Sequence, residues 1–238
     1  MRMLALETSG RDASLAVLEG DDGGDAARLV RQVIIAGQER TAQVLAPRLR
    51  DLLEETNWRV ASIRLVVVAV GPGSFTGLRI GVTTAKTLAY AVGADVIGVD
   101  TLAVIAEQAP RSAAPLWAVM DAQRQELFAA KFDGERQFVH ETHVVSQSEW
   151  LGLLQPDDYV TGPGLRRLPS ALPAGVHAVD ESLWLPTAGA VGQIGWRDYR
   201  AGRRDDVWKL LPQYYRQSAA EEKKMGRQGD GETRRGPD

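Results

Sequence analysis

The chain has 238 residues, 44% hydrophobic and 25% charged, with 24 Gly, 11 Pro and no Cys; these proportions exclude a collagen, a coiled coil or disorder over most of its length. The lack of Cys excludes a disulfide scaffold, a Cys-ligated zinc site, an iron–sulfur cluster and thiol catalysis. Lys and Arg number 28 against 31 Asp and Glu, a net charge of −3, whereas proteins that grip nucleic acid directly usually carry a basic excess to neutralise phosphate.

The opening MRMLALETSG meets an acidic residue at Glu7 and lacks the apolar stretch of a signal peptide. No apolar run approaches the roughly 18–20 residues that span a bilayer, so a soluble cytoplasmic protein without membrane contact is expected. Residues 4–6 read as a strand ending in Glu7-Thr8-Ser9-Gly10, and residues 13–18 (ASLAVL) return from a hairpin turn at Gly10-Arg11-Asp12. Residues 29–36 predict a third strand. Over residues 41–56 the period changes: Val44, Leu45, Leu49, Leu52 and Leu53 recur at three- and four-residue steps, which predicts an amphipathic helix.

Residues 65–70 (LVVVAV) are apolar on both faces, the pattern of a central strand covered by helices. Gly71-Pro72-Gly73 ends that strand, residues 74–93 predict a helix and residues 96–99 another buried strand. A second unit begins at Leu116. LWAVMDAQRQELFAAKFDG repeats the design of LALETSGRDASLAVLEG: a short strand ending in an acidic residue (Asp121, Glu7), a polar turn, and a returning strand. Tyr159-Val160 leads into Gly162-Pro163-Gly164, residues 187–201 predict a helix, and residues 223–238 read as a mobile polar tail.

Residues 71–81 (GPGSFTGLRIG) lie between a buried strand and a helix, where backbone amides and the helix N-terminus can seat an anion; the same glycines also serve a plain tight turn. The stretch lacks the Lys-Ser/Thr of a Walker loop after Gly77, and Thr76 occupies the third-glycine place of a dinucleotide fingerprint. Glu7 and Asp121, each at a strand end, are suited either to orient Mg²⁺ or water or to cap a turn. With Thr8, Ser9, Gly71, Gly73 and Ser74 they form the set of candidate nucleotide contacts. Gly77, Gly81, Ala85 and Ala89 recur every four residues and line one helix face, fit to pack on the protein's own sheet or on another chain. His140 and His143, three apart on a strand, point to opposite faces and argue against a shared metal. His177 stands alone, and Ser74 has no nucleophile elbow around it.

LALETSGRDASLAVLEG, GPGSFTGLRIGVTTAKTLAYAVGADVIGVDTL and LPQYYRQSAAEEK, in that order, resemble the TsaB family, bacterial subunits of the tRNA threonylcarbamoyladenosine machinery once labelled glycoprotease-like. The resemblance runs from Met3 to about residue 224, with residues 136–204 contributing little. It implies an α/β, actin/hexokinase-like (ASKHA) fold of two related lobes: residues 1–106 with 205–222 packing back on them, and residues 107–204. In the family's catalytic sibling, TsaD, a Val-Asn-His-x-x-Gly-His motif binds the metal. The matching stretch here runs from Val99 to Ile105 and puts Thr101 and Ile105 at the ligand places; Ile coordinates nothing and a lone Thr hydroxyl is a poor transition-metal ligand.

The resemblance therefore implies a non-catalytic subunit without cofactor or metal. It would dimerise with a TsaD-type subunit, support a TsaE-type ATPase, and meet tRNA only through the complex that modifies the adenosine beside the anticodon. The family's dimer surface of two N-lobe helices maps onto Thr41, Leu45, Leu49, Leu52, Gly77, Leu78, Gly81, Ala85 and Leu88, and the same helices would allow a homodimer in isolation. Residues 37–41 depart from relatives that often have His before Ser or Thr. The rival expectation is a free-standing ATPase or small-molecule kinase of the same fold, using Glu7, Asp121 and the loop at residues 71–74.

Overall fold

Two five-stranded sheets follow one another along the chain. The structure, a computed structural model, describes residues 1–215 except 22, 25, 38, 40, 113 and 169. The expected tail and residues 216–222 of the expected return segment lie outside the described residues.

The first sheet contains β1 (Arg2–Glu7), β2 (Ala13–Glu19), β3 (Arg28–Ile35), β4 (Leu65–Gly71) and β5 (Asp95–Asp100), in the spatial order β3-β2-β1-β4-β5. The hairpin-linked strands β1, β2 and β3 pair antiparallel, while β1, β4 and β5 pair parallel. The parallel connections are α1 (Thr41–Glu55) and α2 (Phe75–Val92). The second sheet repeats this plan with β6 (Leu116–Gln123), β7 (Glu126–Phe132), β8 (Phe138–Ser146), β9 (Tyr159–Thr161) and β10 (His177–Ala178), in the order β8-β7-β6-β9-β10. Again the first three pair antiparallel, and β6, β9 and β10 parallel. The likeness between Leu4 and Leu116 is thus a duplicated topology, and the fold is the two-lobed α/β arrangement expected. Among the described residues no helix is long and apolar enough to cross a membrane.

Strand alternation sorts the first core. Even-numbered Leu4, Leu6, Val66 and Val68 face α1 and α2; odd-numbered Met3, Ala5, Val67 and Ala69 face α5 (Ala188–Arg200). This two-sided cover is why all of β4 is buried. α5 differs from expectation: its place in the chain put it with residues 107–204, yet it lies on the first sheet, where a Cβ at Gly192 or Gly195 would strike Leu18 or Val67. Its apolar face needs a sheet with one uncovered side, and position along the chain does not say which sheet offers one. α3 (Thr101–Gln108) joins the lobes, sending Val104 into the first core and Leu102, Ile105 and Ala106 into the second. After α5 the chain returns over the first sheet, where Leu210 enters the core beside Val96.

Candidate functional site

The ends of β1 and β4 meet at the start of α2 and are stitched together there. Ser74 caps α2 by accepting from the Gly77 amide, and its own amide donates to the Ser9 carbonyl at 2.7 Å. The Thr8 hydroxyl donates to the Gly77 carbonyl at 2.8 Å. A Cβ at Gly73, whose φ is +153°, would meet the Ser9 carbonyl oxygen at 2.5 Å, so glycine allows both the backbone angle and the approach. Two amides of the loop expected to seat an anion or make a tight turn, those of Ser74 and Gly77, are spent on Ser9 and on the cap.

Glu7 lies behind this seam, 1% exposed. Its carboxylate accepts from the Ser9 amide at 2.7 Å and from the Ser9 hydroxyl. Burial pushes the carboxyl up to about 7, against the pull of both Ser9 bonds. In front of the seam the lobes enclose a cleft of about 480 Å³, lined by Ser9, Arg11, Gly73 and Ser74 from one side and Asp121 and Gln123 from the other. Asp121 accepts from the Gln123 amide at 2.8 Å and lies 3.8 Å from the Arg167 guanidinium. Of the candidate nucleotide contacts, Ser9, Gly73, Ser74 and Asp121 therefore share one cleft. Glu7, Thr8 and Gly71 do not reach it. Glu7 and Thr8 are buried, and a Cβ at Gly71 would meet the Gln213 carbonyl oxygen at 2.5 Å.

The metal-ligand places of the resemblance do not fit a metal. Thr101 and Ile105 are both 0% exposed, and the Thr101 hydroxyl has no hydrogen-bond partner. His140 stacks beside Trp117 at 5.9 Å, His143 contacts the Glu141 carbonyl, and the exposed His177 rests against Tyr159. Among the described residues no group of three or more His, Asp or Glu is placed to hold a metal ion.

Asp100 is the residue the sequence reading missed. Its Oδ1 caps α3 by accepting from the amides of Leu102 (2.7 Å) and Ala103 (3.1 Å). Its Oδ2 accepts from the hydroxyls of Thr142 (2.9 Å) and Tyr215 (3.1 Å). Burial pushes this carboxyl up to about 6 despite the four bonds. An Asp just before an apolar helical run is a legible cap signal; Thr142 and Tyr215 have none.

The helix surface assigned to a partner requires correction. Leu45, Leu49, Leu52, Leu78 and Ala85 are buried, all but Leu78 within the first core. A Cβ at Gly77 would fall on the Thr8 carbonyl oxygen, and one at Gly81 on the Thr8 hydroxyl. The small-residue stripe is the inner face of α2; a four-residue spacing defines a face without saying which way it turns. Only Thr41 and Leu88 are partly exposed with no such clash, and of the departure at residues 37–41, Gln38 and Arg40 lie outside the described residues. The outward face of α2 presents Arg79, Thr83, Thr87 and Tyr90. Beside it lie the exposed Trp208, Leu211 and Tyr214. Tyr214 stacks on Phe75 at 4.7 Å, Trp208 sits edge-on to Tyr90 at 5.1 Å, and the Arg79 guanidinium covers Phe75 at 4.6 Å.

Comparison with known proteins gives matches of three kinds. Residues 36–164 match the family model described as "TsaD: tRNA N6-adenosine threonylcarbamoyltransferase". The chain is 28% identical over 246 residues to the tRNA threonylcarbamoyladenosine biosynthesis protein TsaB of Escherichia coli, covering 96% of this chain and 100% of that one. The match to the protein of the same name from Bacillus subtilis is 27% over 161 residues, covering 66% of this chain and 68% of that one. Among solved structures, YeaZ from Pseudomonas aeruginosa superposes with a TM-score of 0.72 at 28% identity, over 90% of this chain and 99% of that one.

Proposed function

Because the chain belongs to the family of the TsaD model, and within it is TsaB/YeaZ-like, we propose that it acts in cytoplasmic tRNA threonylcarbamoyladenosine biosynthesis as a non-catalytic subunit. In this reading it pairs with a TsaD-type subunit, which carries out the threonylcarbamoyl transfer, and helps to engage a TsaE-type ATPase. Alone, it pairs with itself. The observation that carries the reading is the end-to-end match to a TsaB protein. The buried Thr101 and Ile105, and the amides of Ser74 and Gly77 spent within the protein, support the non-catalytic part. A net charge of −3 suits contact with tRNA through a partner.

The docking face in this reading is the outward side of α2 with its aromatic border, from Arg79 and Phe75 to Tyr90 and Trp208. Exposed aromatic residues and Arg are the types that dominate binding energy at protein interfaces. The test is reconstitution. The purified chain is expected to co-elute with a TsaD-type subunit from the same organism, and to be required for tRNA modification by the full set of subunits while inert alone. Mg-ATP hydrolysis or threonylcarbamoyl transfer by the isolated chain would overturn the reading; ATP hydrolysis would favour a free-standing ATPase or kinase working through the Ser9–Asp121 cleft.

A further inference from the structure

The chain after α5 binds β5, α2, β4 and then the second lobe in succession. The Asp205 amide donates to the Val96 carbonyl (3.0 Å), the Gly98 amide to Asp205 Oδ2 (2.8 Å), and Arg203 Nη2 to the Gly98 carbonyl (2.7 Å). Two side chains thereby occupy backbone groups of the edge strand β5 that another strand would otherwise take. Val207 and Leu210 pack into the first core, and Lys86 of α2 donates to the carbonyls of Trp208 (3.3 Å) and Leu210 (3.0 Å). The Gln213 amide donates to the Val70 carbonyl at 2.7 Å. Tyr215 then crosses to the other lobe, where its ring lies 6.3 Å from that of Phe128 on β7 and its hydroxyl reaches Asp100 Oδ2. Thr142 on β8 donates to that same oxygen. Asp100 stands where the chain leaves the first sheet for α3, the helix shared by both cores.

We propose that residues 203–215 form a strap that fixes the angle between the lobes, with Asp100 as a latch closed by Tyr215 from the strap and by Thr142 from the second sheet. Tyr214 and Tyr215 also line the interlobe cleft, so the strap sets the width of the cleft. Its outer residues Trp208 and Leu211 lie in the exposed border of α2. The device belongs to the isolated chain and goes beyond the docking reading without depending on it.

The absence of Cys makes the test clean. Thr83→Cys on α2 and Gly152→Cys on α4 (Gln147–Leu153) place spin labels at exposed sites on the two lobes. Pulsed electron paramagnetic resonance on this background is expected to give one narrow interlobe distance, which Tyr215→Phe lengthens or broadens. Should Tyr215→Phe fail to fold, Thr142→Val is the second variant, expected to broaden the same distribution. Thr142→Val is also expected to speed hydrogen exchange at the Gln213 amide, in the opposite lobe, by about tenfold. A distance distribution unchanged in the folded variants, or unchanged exchange at Gln213 in Thr142→Val, would overturn the proposal.

Discussion

The Thr8 hydroxyl donates to the Gly77 carbonyl at 2.8 Å, and the Cβ that Gly77 lacks would fall on the carbonyl oxygen of the same Thr8. The residue that follows β1 thus both bonds α2 and forbids it a side chain. The consequence is that Gly77→Ala costs stability. The obstacle is a buried backbone oxygen just past the end of β1, so overpacking of about 1–3 kcal/mol applies, a fall of about 2–12 °C at the roughly 2–4 °C per kcal/mol of a domain this size. A thermal melt reads it. Gly81→Arg, at the same seam, is expected to unfold the protein.

Opposite behaviour is expected on the outer face of the same helix. Arg79→Glu with Tyr90→Ala changes exposed residues, whose substitution usually moves stability by no more than about 0.5 kcal/mol. Co-elution with the TsaD-type subunit should be lost at a nearly unchanged melting temperature. Retained co-elution would move the docking face elsewhere.

Glu7 makes stability depend on pH. Its folded carboxyl stands at about 7 against an ordinary 4.5, so the folded state holds the proton more tightly than the unfolded one. The stabilisation is full below pH 4.5 and is lost as pH rises through 7. The gap corresponds to a loss of about 3 kcal/mol. Glu7→Gln should be more stable than the parent at pH 8 and close to it near pH 4, as judged by urea unfolding at both pH values. A difference independent of pH would contradict the assignment.

The β6–β7 hairpin turns on Arg124 and Gln125, with φ of 55° and 62°. Positive φ at both central residues is the type I′ turn, where Asn-Gly is favoured. Gln125→Gly is expected to stabilise by about 0.5–1 kcal/mol, because the left-handed region strains any residue with a Cβ. A higher midpoint in chemical denaturation checks it.

What could be read in the site followed the same division as what could be read in the fold. Ser9, Gly73, Ser74 and Asp121 can be grouped from the sequence because each lies at or just past a strand end, and the two sheets bring these ends to one cleft. Glu7 was misplaced because the ladder buries it behind Ser9, and no local pattern distinguishes a carboxylate in front of a turn from one behind it. Asp100 acquires its meaning from Thr142 and Tyr215, which lie 42 and 115 positions away.

α3 and α4 carry no periodic signal long enough to be read, whereas local pattern is enough for the strands and helices of the first sheet, the helix at residues 188–200, the buried character of β4, the repeat between Leu4 and Leu116, and the family likeness. These rest on alternation, four-residue spacing and motifs, all properties of neighbours along the chain. The tertiary structure alone decided that the Gly77–Ala85 face turns inward, that α5 covers the first sheet, and that Tyr215 latches onto Asp100. Each of these is a choice between equally regular faces, settled by whichever distant surface leaves apolar area uncovered or a polar atom without a partner.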